Sequence, residues 1–197
     1  MSDEETPEEL AGEPVISFAA VPDCEAWFAE HYADYRGFWL KIGKVGSAQT
    51  VNYVEALEVA LCHGWIDGQK RGHDETYWLQ RFTPRGPRSK WSQINRDKAE
   101  ALIQAGRMRP AGQAQVDAAK ADGRWAAAYA SQKSATVPDD LAAALRADQQ
   151  AKAFFETLKG ANRYAILYRV HDAKKPETRA ARIAKFVEMC HNHETVH

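Results

Sequence analysis

The chain has 197 residues, 45% of them hydrophobic and 27% charged, with a formal net charge of −1. That composition suits a soluble globular protein with a real core, held in one large domain or two small ones. It excludes a dedicated DNA binder, and the lack of any 18-residue apolar run excludes a membrane-spanning helix.

Met1 to Pro14 hold six acidic residues and no Lys or Arg, leaving 26 basic against 21 of the 27 acidic residues for the rest. Residues 1–14 read as a disordered acidic tail, and without an apolar stretch they are not a secretory signal. Val15 to Ala20 reads as a strand with Ile16, Phe18 and Ala20 on one face. Asp23 caps a helix whose inward stripe is Cys24, Trp27, Phe28, Tyr32 and Tyr35, ended by Gly37. Phe38, Leu40 and Ile42 alternate as a second strand. Asn52 and Glu55 read as a capping box, with Thr50 as the rival cap, for a helix carrying Val54, Leu57, Ala60 and Leu61, which Gly64 stops.

Trp65-Ile66-Asp67 then emerges extended, Gln69 to Glu75 reads as a hairpin turn, and Thr76 to Thr83 returns as a strand, antiparallel to its neighbour. From Arg81 to Lys98 six Lys and Arg stand against one Asp, interleaved with Phe82 and Trp91 and broken by Pro84, Gly86 and Pro87. Ser89 or Ser92 caps the following helix, with Ile94, Lys98, Ala101, Leu102 and Ala105 on one side and Gly106 as its stop. Another helix is centred on Val116, Ala119 and Lys120; Trp125 and Tyr129 pack as neighbours if it resumes. Residues 131–137 are a linker.

Beyond the linker everything is helical. Pro138 opens one helix, Asp148 caps a second that ends at Gly160, Asn162 caps a third, and Pro176 sits at the first turn of a fourth. The fold class is therefore α+β: a small mixed, largely antiparallel sheet backed by helices over residues 15–130, then a C-terminal all-helical module over 138–191 and a tail at 192–197.

The run Tyr53-x-Glu55-Ala56-Leu57-Glu58-x-Ala60-Leu61-Cys62-x-Gly64-Trp65-Ile66-Asp67-Gly68 resembles the bacterial YdeI/OmpD-associated, or bacteriocin-protection, family. So do Phe82-Thr83-Pro84-Arg85, Ser89-x-Trp91-Ser92-x-x-Asn95 and Gly106-x-Met108-x-Pro110-Ala111-Gly112. Val137-Pro138-x-Asp140-Leu141 and Ala173-Lys174-Lys175-Pro176-Glu177-Thr178-Arg179-x-x-Arg182-Ile183 are similar to that family's small helical domain. The resemblance covers residues 38 to 189; His63 departs from the pattern. It implies a link to bacteriocin or antimicrobial-peptide resistance and envelope stress, with no established reaction.

Asp67 is the leading polar candidate: a base or cation ligand, or else an internal partner of Arg85 or a turn cap. Arg85 clamps an anion through two parallel hydrogen bonds, or spends them on that internal pair. Trp91 offers a stacking face or is core; Ser92 and Asn95 bind a ligand or cap a helix. Lys174, Lys175, Arg179 and Arg182 form a partner-docking group or fix their turn. Cys62 beside His63 does not point with it as a Cys/His pair would. Cys190, His191, His193 and His197 have metal-binding types but no metal-site spacing, so no metal and no cofactor is expected. Three widely spaced cysteines suit the cytoplasm.

These features favour a cytoplasmic, non-enzymatic binding protein for a small anionic ligand or protein partner, with Asp67, Arg85, Trp91, Ser92 and Asn95 at the site. One alternative is a hydrolase or transferase using Asp67 as base. Another is weak single-stranded nucleic-acid binding through the Arg81–Lys98 run.

Overall fold

The computed structural model describes residues 8–197, so the first half of the acidic tail lies outside the described residues. The chain divides into two units, one of residues 8–90 with 95–126 and one of residues 91–94 with 127–197.

The first unit holds one five-stranded sheet. Its strands are β1 (Glu9–Leu10), β2 (Glu13–Ile16), β3 (Phe38–Gly43), β4 (Trp65–Gly72) and β5 (Tyr77–Pro84), in the spatial order β1-β2-β3-β5-β4. Only β2 and β3 run parallel; the other neighbours are antiparallel. The parallel step is possible because α1 (Val21–His31) carries the chain back between them. Two further helices precede or follow the hairpin, α2 (Tyr53–Cys62) and α3 (Gln93–Gln104), and α4 (Pro110–Ala121) completes the set. The mixed, largely antiparallel sheet with helices, followed by a helical region, is the fold class the sequence indicates.

Residues 8–14 correct the reading of a disordered tail to residue 14. They form the β1–β2 hairpin through a turn with positive φ at Ala11 and Gly12. Glu8 and Glu13 are spent on basic partners in the sheet. Arg81 Nε donates to Glu13 Oε2 at 2.7 Å, and Lys41 Nζ donates to Glu8 Oε2 at 3.1 Å. Acidity alone therefore did not mark this stretch as unstructured. The β2 strand also stops at Ile16, short of Ala20.

An aromatic cluster fills the space between sheet and helices. Phe28 meets Phe38 (5.7 Å between centroids) and Trp65 (5.4 Å), and Phe38 stacks on Phe82 (5.7 Å). Trp65 is fully buried, with its indole N–H donated to the Tyr32 carbonyl at 3.0 Å, which removes the polar cost of burying it. Asp23, expected as the cap of α1, instead sits inside the first turn and accepts from the Ala20 N–H at 3.1 Å. Asn52 does cap α2, accepting from Val54 and Glu55 N–H, while Glu55 reaches back to the Asn52 N–H at 3.0 Å.

Gly64 ends α2 at φ +77°, and a Cβ there would lie 2.9 Å from the Ala111 carbonyl oxygen. Gly112, in the first turn of α4, would place a Cβ 2.3 Å from the Cys62 carbonyl oxygen. The end of α2 and the start of α4 thus meet backbone to backbone, and glycine on both sides permits it.

β4 runs four residues further than the turn expected from Gln69. The reversal falls at His73–Thr76, where the Asp74 carboxylate accepts from the Thr76 and Tyr77 N–H groups, both at 2.7 Å. A register shift between Asp67 and Lys70 interrupts the ladder, and the side chain of buried Gln80 donates to the carbonyls of Gly68 (3.0 Å) and Gln69 (3.2 Å) there. The buried face of α3 is Asn95, Ala99 and Leu102, not the stripe through Ile94, which is 51% exposed. The helix is turned so that Asn95 reaches Asp67.

The second unit contains α5 (Asp139–Ala147), α6 (Gln149–Thr157), α7 (Gly160–His171) and α8 (Pro176–His191). Leu141, Leu145, Phe155, Ile166, Val170 and Phe186 are among its core residues. Asp148 caps α6 through the Ala151 N–H at 2.9 Å. Gly160, expected to end α6, opens α7 instead, and Asn162 lies inside that helix with its amide oxygen accepting from the His197 N–H at 2.8 Å. No helix resumes at Trp125. Gly123 at φ +81° stops α4, and Tyr129 forms a β-bridge with Ser92.

Candidate functional site

Asp67 leaves the sheet core on β4 just where the register slips. Its Oδ2 accepts the Tyr53 hydroxyl at 2.9 Å, and its Oδ1 accepts the Asn95 amide at 3.4 Å. The carboxylate therefore ties the first residue of α2 and the buried face of α3 to β4. Both donors are uncharged, so Asp67 acts here as a junction between three elements.

Arg85 follows β5, its N–H bonded to the Gly64 carbonyl at 2.9 Å. Its side chain is 5% exposed and donates through Nη1 to the Lys90 carbonyl at 3.2 Å. Trp91 is 2% exposed, and its backbone and that of Gln93 pair with Tyr129, beside the Ser92 bridge. Asp67 and Asn95 are thus brought together, with Tyr53 as a partner that sequence reasoning missed. Arg85 is engaged with its own loop, and Trp91 and Ser92 with the strand-like segment at Tyr129.

The docking group divides. Asp140 holds the Arg179 guanidinium along one edge, accepting from Nε and Nη2, while Nη1 donates to the Val170 carbonyl at 2.8 Å; the Asp140 pairing holds the Asp140 carboxyl below its usual range. Arg182 pairs with Asp172 and with the Arg169 carbonyl. Lys174 and Lys175 stay exposed. At the C-terminus Cys190 is buried, His191 bonds Asp148 at 2.9 Å and His193 stacks on Phe154. No group of three or more His, Cys, Asp or Glu among the described residues is placed to hold a metal ion.

Among the described residues, concavities open away from Asp67 and Arg85. In the helical unit a pocket of about 360 Å³ is lined by Tyr129, Tyr164 and Tyr168 together with Gln93, His171 and Arg179. Tyr129 meets Tyr168 edge-on at 5.2 Å, and the Tyr164 hydroxyl donates to the Ala130 carbonyl at 2.8 Å. Burial pushes the Tyr164 phenol pKa up, so it remains a neutral donor. The same unit has an apolar groove of about 800 Å³ along α5 and α8, floored by Ala144, Ala180, Ile183, Ala184 and Val187. In the first unit a pocket of about 250 Å³ is lined by Cys62, His63, Arg107 and Arg109 with Glu25. The sequence signal for the tyrosine wall was the four-residue spacing of Tyr164 and Tyr168; for the arginines it was their place just after the Gly106 stop.

Residues 16–115 match the family model described as a domain of unknown function (DUF8412), and residues 134–193 match the one described as bacteriocin-protection, YdeI or OmpD-associated. The resemblance drawn from the helical motifs falls inside the second match, whereas the Trp65–Gly68 and Phe82–Asn95 motifs fall inside the first. No curated protein and no solved structure matches the chain.

Proposed function

Because the chain belongs to the DUF8412 family and carries a YdeI/OmpD-associated region over residues 134–193, we propose that it is a cytoplasmic, non-enzymatic binding protein that contributes to bacteriocin, antimicrobial-peptide or envelope-stress tolerance. The observation that supports the binding role is the tyrosine-walled pocket of about 360 Å³ in the YdeI/OmpD-associated region. Its volume is that of a small-molecule site. Tyrosine rings supply flat contact area with little entropy to lose, and each ends in a polar tip.

The ligand that fits is small and flat, with polar edges for the Gln93 amide and the His171 ring. Arg179 lines the pocket as well, but Asp140 already takes its charge, so this pocket is not primarily an anion site. The three buried, unbridged cysteines suit a reducing compartment.

The test is complementation of a gene deletion challenged with a cationic antimicrobial peptide, using Tyr168→Ala and Gln93→Ala variants that retain the native circular dichroism spectrum. We expect both to fail where the native protein restores growth. Full restoration by both variants sinks the proposal. A thermal-shift screen names the ligand, since one at a hundred times its Kd adds about 2.7 kcal/mol of stability.

A further inference from the structure

The pocket at the end of α2 is built by two helix ends and one helix start. α2 ends on Cys62 and His63. α3 ends at Gln104 and the chain turns at Gly106, φ +67°, after which the Arg107 N–H returns to the Leu102 carbonyl at 3.0 Å. Pro110 then starts α4, and the Arg109 N–H is pinned to the Cys62 carbonyl at 3.2 Å. The short connection Arg107-Met108-Arg109 is thereby held against the last turn of α2, and both arginines line the pocket with His63.

His63 is 7% exposed and stacks on Phe28 at 5.3 Å. Its Nδ1 bonds the Val59 carbonyl at 3.0 Å, which assigns the proton to Nδ1 and leaves Nε2 as an acceptor. Nε2 has no hydrogen-bond partner among the described residues. Burial is the first cause holding the ring neutral, and the nearby Arg109 charge acts the same way.

The charges around the pocket do not cancel. Arg107 is shared by Glu58 (3.0 Å) and Glu25 (3.8 Å), and Lys98 also pairs with Glu58 at 3.5 Å. Arg109 makes no ion pair among the described residues, so three cations face two carboxylates. The opposed ends of α2 and α4 offset each other's partial charges, which leaves Arg109 as the uncompensated one. A volume of about 250 Å³ is below the roughly 300 Å³ at which drug-sized sites begin.

We propose that this pocket binds a small oxyanion that carries its own hydroxyl, free hydrogenphosphate being the simplest, with Arg109 pairing its charge and His63 Nε2 accepting its O–H. A cation alone does not distinguish one oxyanion from another. An acceptor that the bound anion covers does, because an anion without a hydroxyl leaves it facing a lone pair.

The test is calorimetric titration of the full chain at pH 8 with inorganic phosphate, with sulfate and with methyl phosphate, whose dianions lack the hydroxyl. We expect saturable phosphate binding at one site, and sulfate and methyl phosphate weaker by about tenfold, the equivalent of one hydrogen bond. Arg109→Gln changes an exposed side chain and should weaken phosphate at least about tenfold without altering the fold. His63→Phe keeps the ring on Phe28 and should erase the preference for phosphate. The native anion ranking and the Arg109 variant decide the matter even if the His63 variant does not fold. No saturable phosphate binding, equal affinity for all three anions, or an unaffected Arg109→Gln variant overturns the proposal.

Discussion

Gln80 shows how a single polar side chain can hold a structural irregularity. The register shift on β4 removes the Gly68 and Gln69 carbonyls from the regular ladder, and the buried Gln80 amide supplies their donor. Gln80→Met keeps the volume and removes that donor, so urea unfolding should show a loss of about 1–3 kcal/mol, the cost of stranding buried acceptors. Asn52 is the second such residue. Asn52→Ala removes the acceptor for two N–H groups at the start of α2, and about 1 kcal/mol should be lost in the same assay. Asp67 belongs with these two, because its visible work is to join Tyr53, β4 and Asn95.

Between elements, the decisive contacts are the α2–α4 crossing and the α5–α8 clamp. Alanine is a better helix former than glycine by about 1 kcal/mol, so propensity alone predicts that Gly112→Ala stabilises α4. The crossing predicts the opposite, since the added methyl meets the Cys62 and Leu61 carbonyls at 2.3 and 2.6 Å. A lower melting temperature for Gly112→Ala is the expected result, and a higher one would show that the helices can part at no cost. In the helical unit the Asp140–Arg179 pair holds the Asp140 pKa down. A depressed folded pKa contributes stability above the unfolded value, and that contribution disappears as pH falls through the folded one. Asp140→Asn should therefore be less stable than the native protein at pH 7. The difference should shrink below about pH 4, where unfolded carboxylates take up protons.

At the scale of the whole chain, two units carry two family matches, and their free thiols report on each separately. Cys24 and Cys62 lie in the first unit and Cys190 in the second, all buried. Burial pushes the Cys24 thiol pKa up to about 12 and raises the other two. Since the thiolate is the reactive form, native protein should react with a thiol reagent far more slowly than protein in denaturant. Cys190 and the Cys24–Cys62 pair should then label at different rates if the units open independently, and one common rate would show a single cooperative opening. Among the described residues no helix is long and apolar enough to cross a membrane.

Much of this was determined locally and so could be read from the chain: the capping box at Asn52, the left-handed stop at Gly64, the Asp148 cap, the alternation in β3 and the helical run after Pro138. Each depends on residues within one turn or one strand. The tertiary structure decided what depends on distant partners. The acidic segment around residues 8–13 joined the sheet with Lys41 receiving Glu8 and Arg81 receiving Glu13, and α3 turned its Asn95 face inward toward Asp67. Arg85 bonded its own loop while Arg107 and Arg109 came to His63, since the α2–α4 crossing sets where that connection lies. Charge and residue type are visible in a sequence, but whether a charged group meets a partner or an open pocket is fixed by packing between segments far apart in the chain.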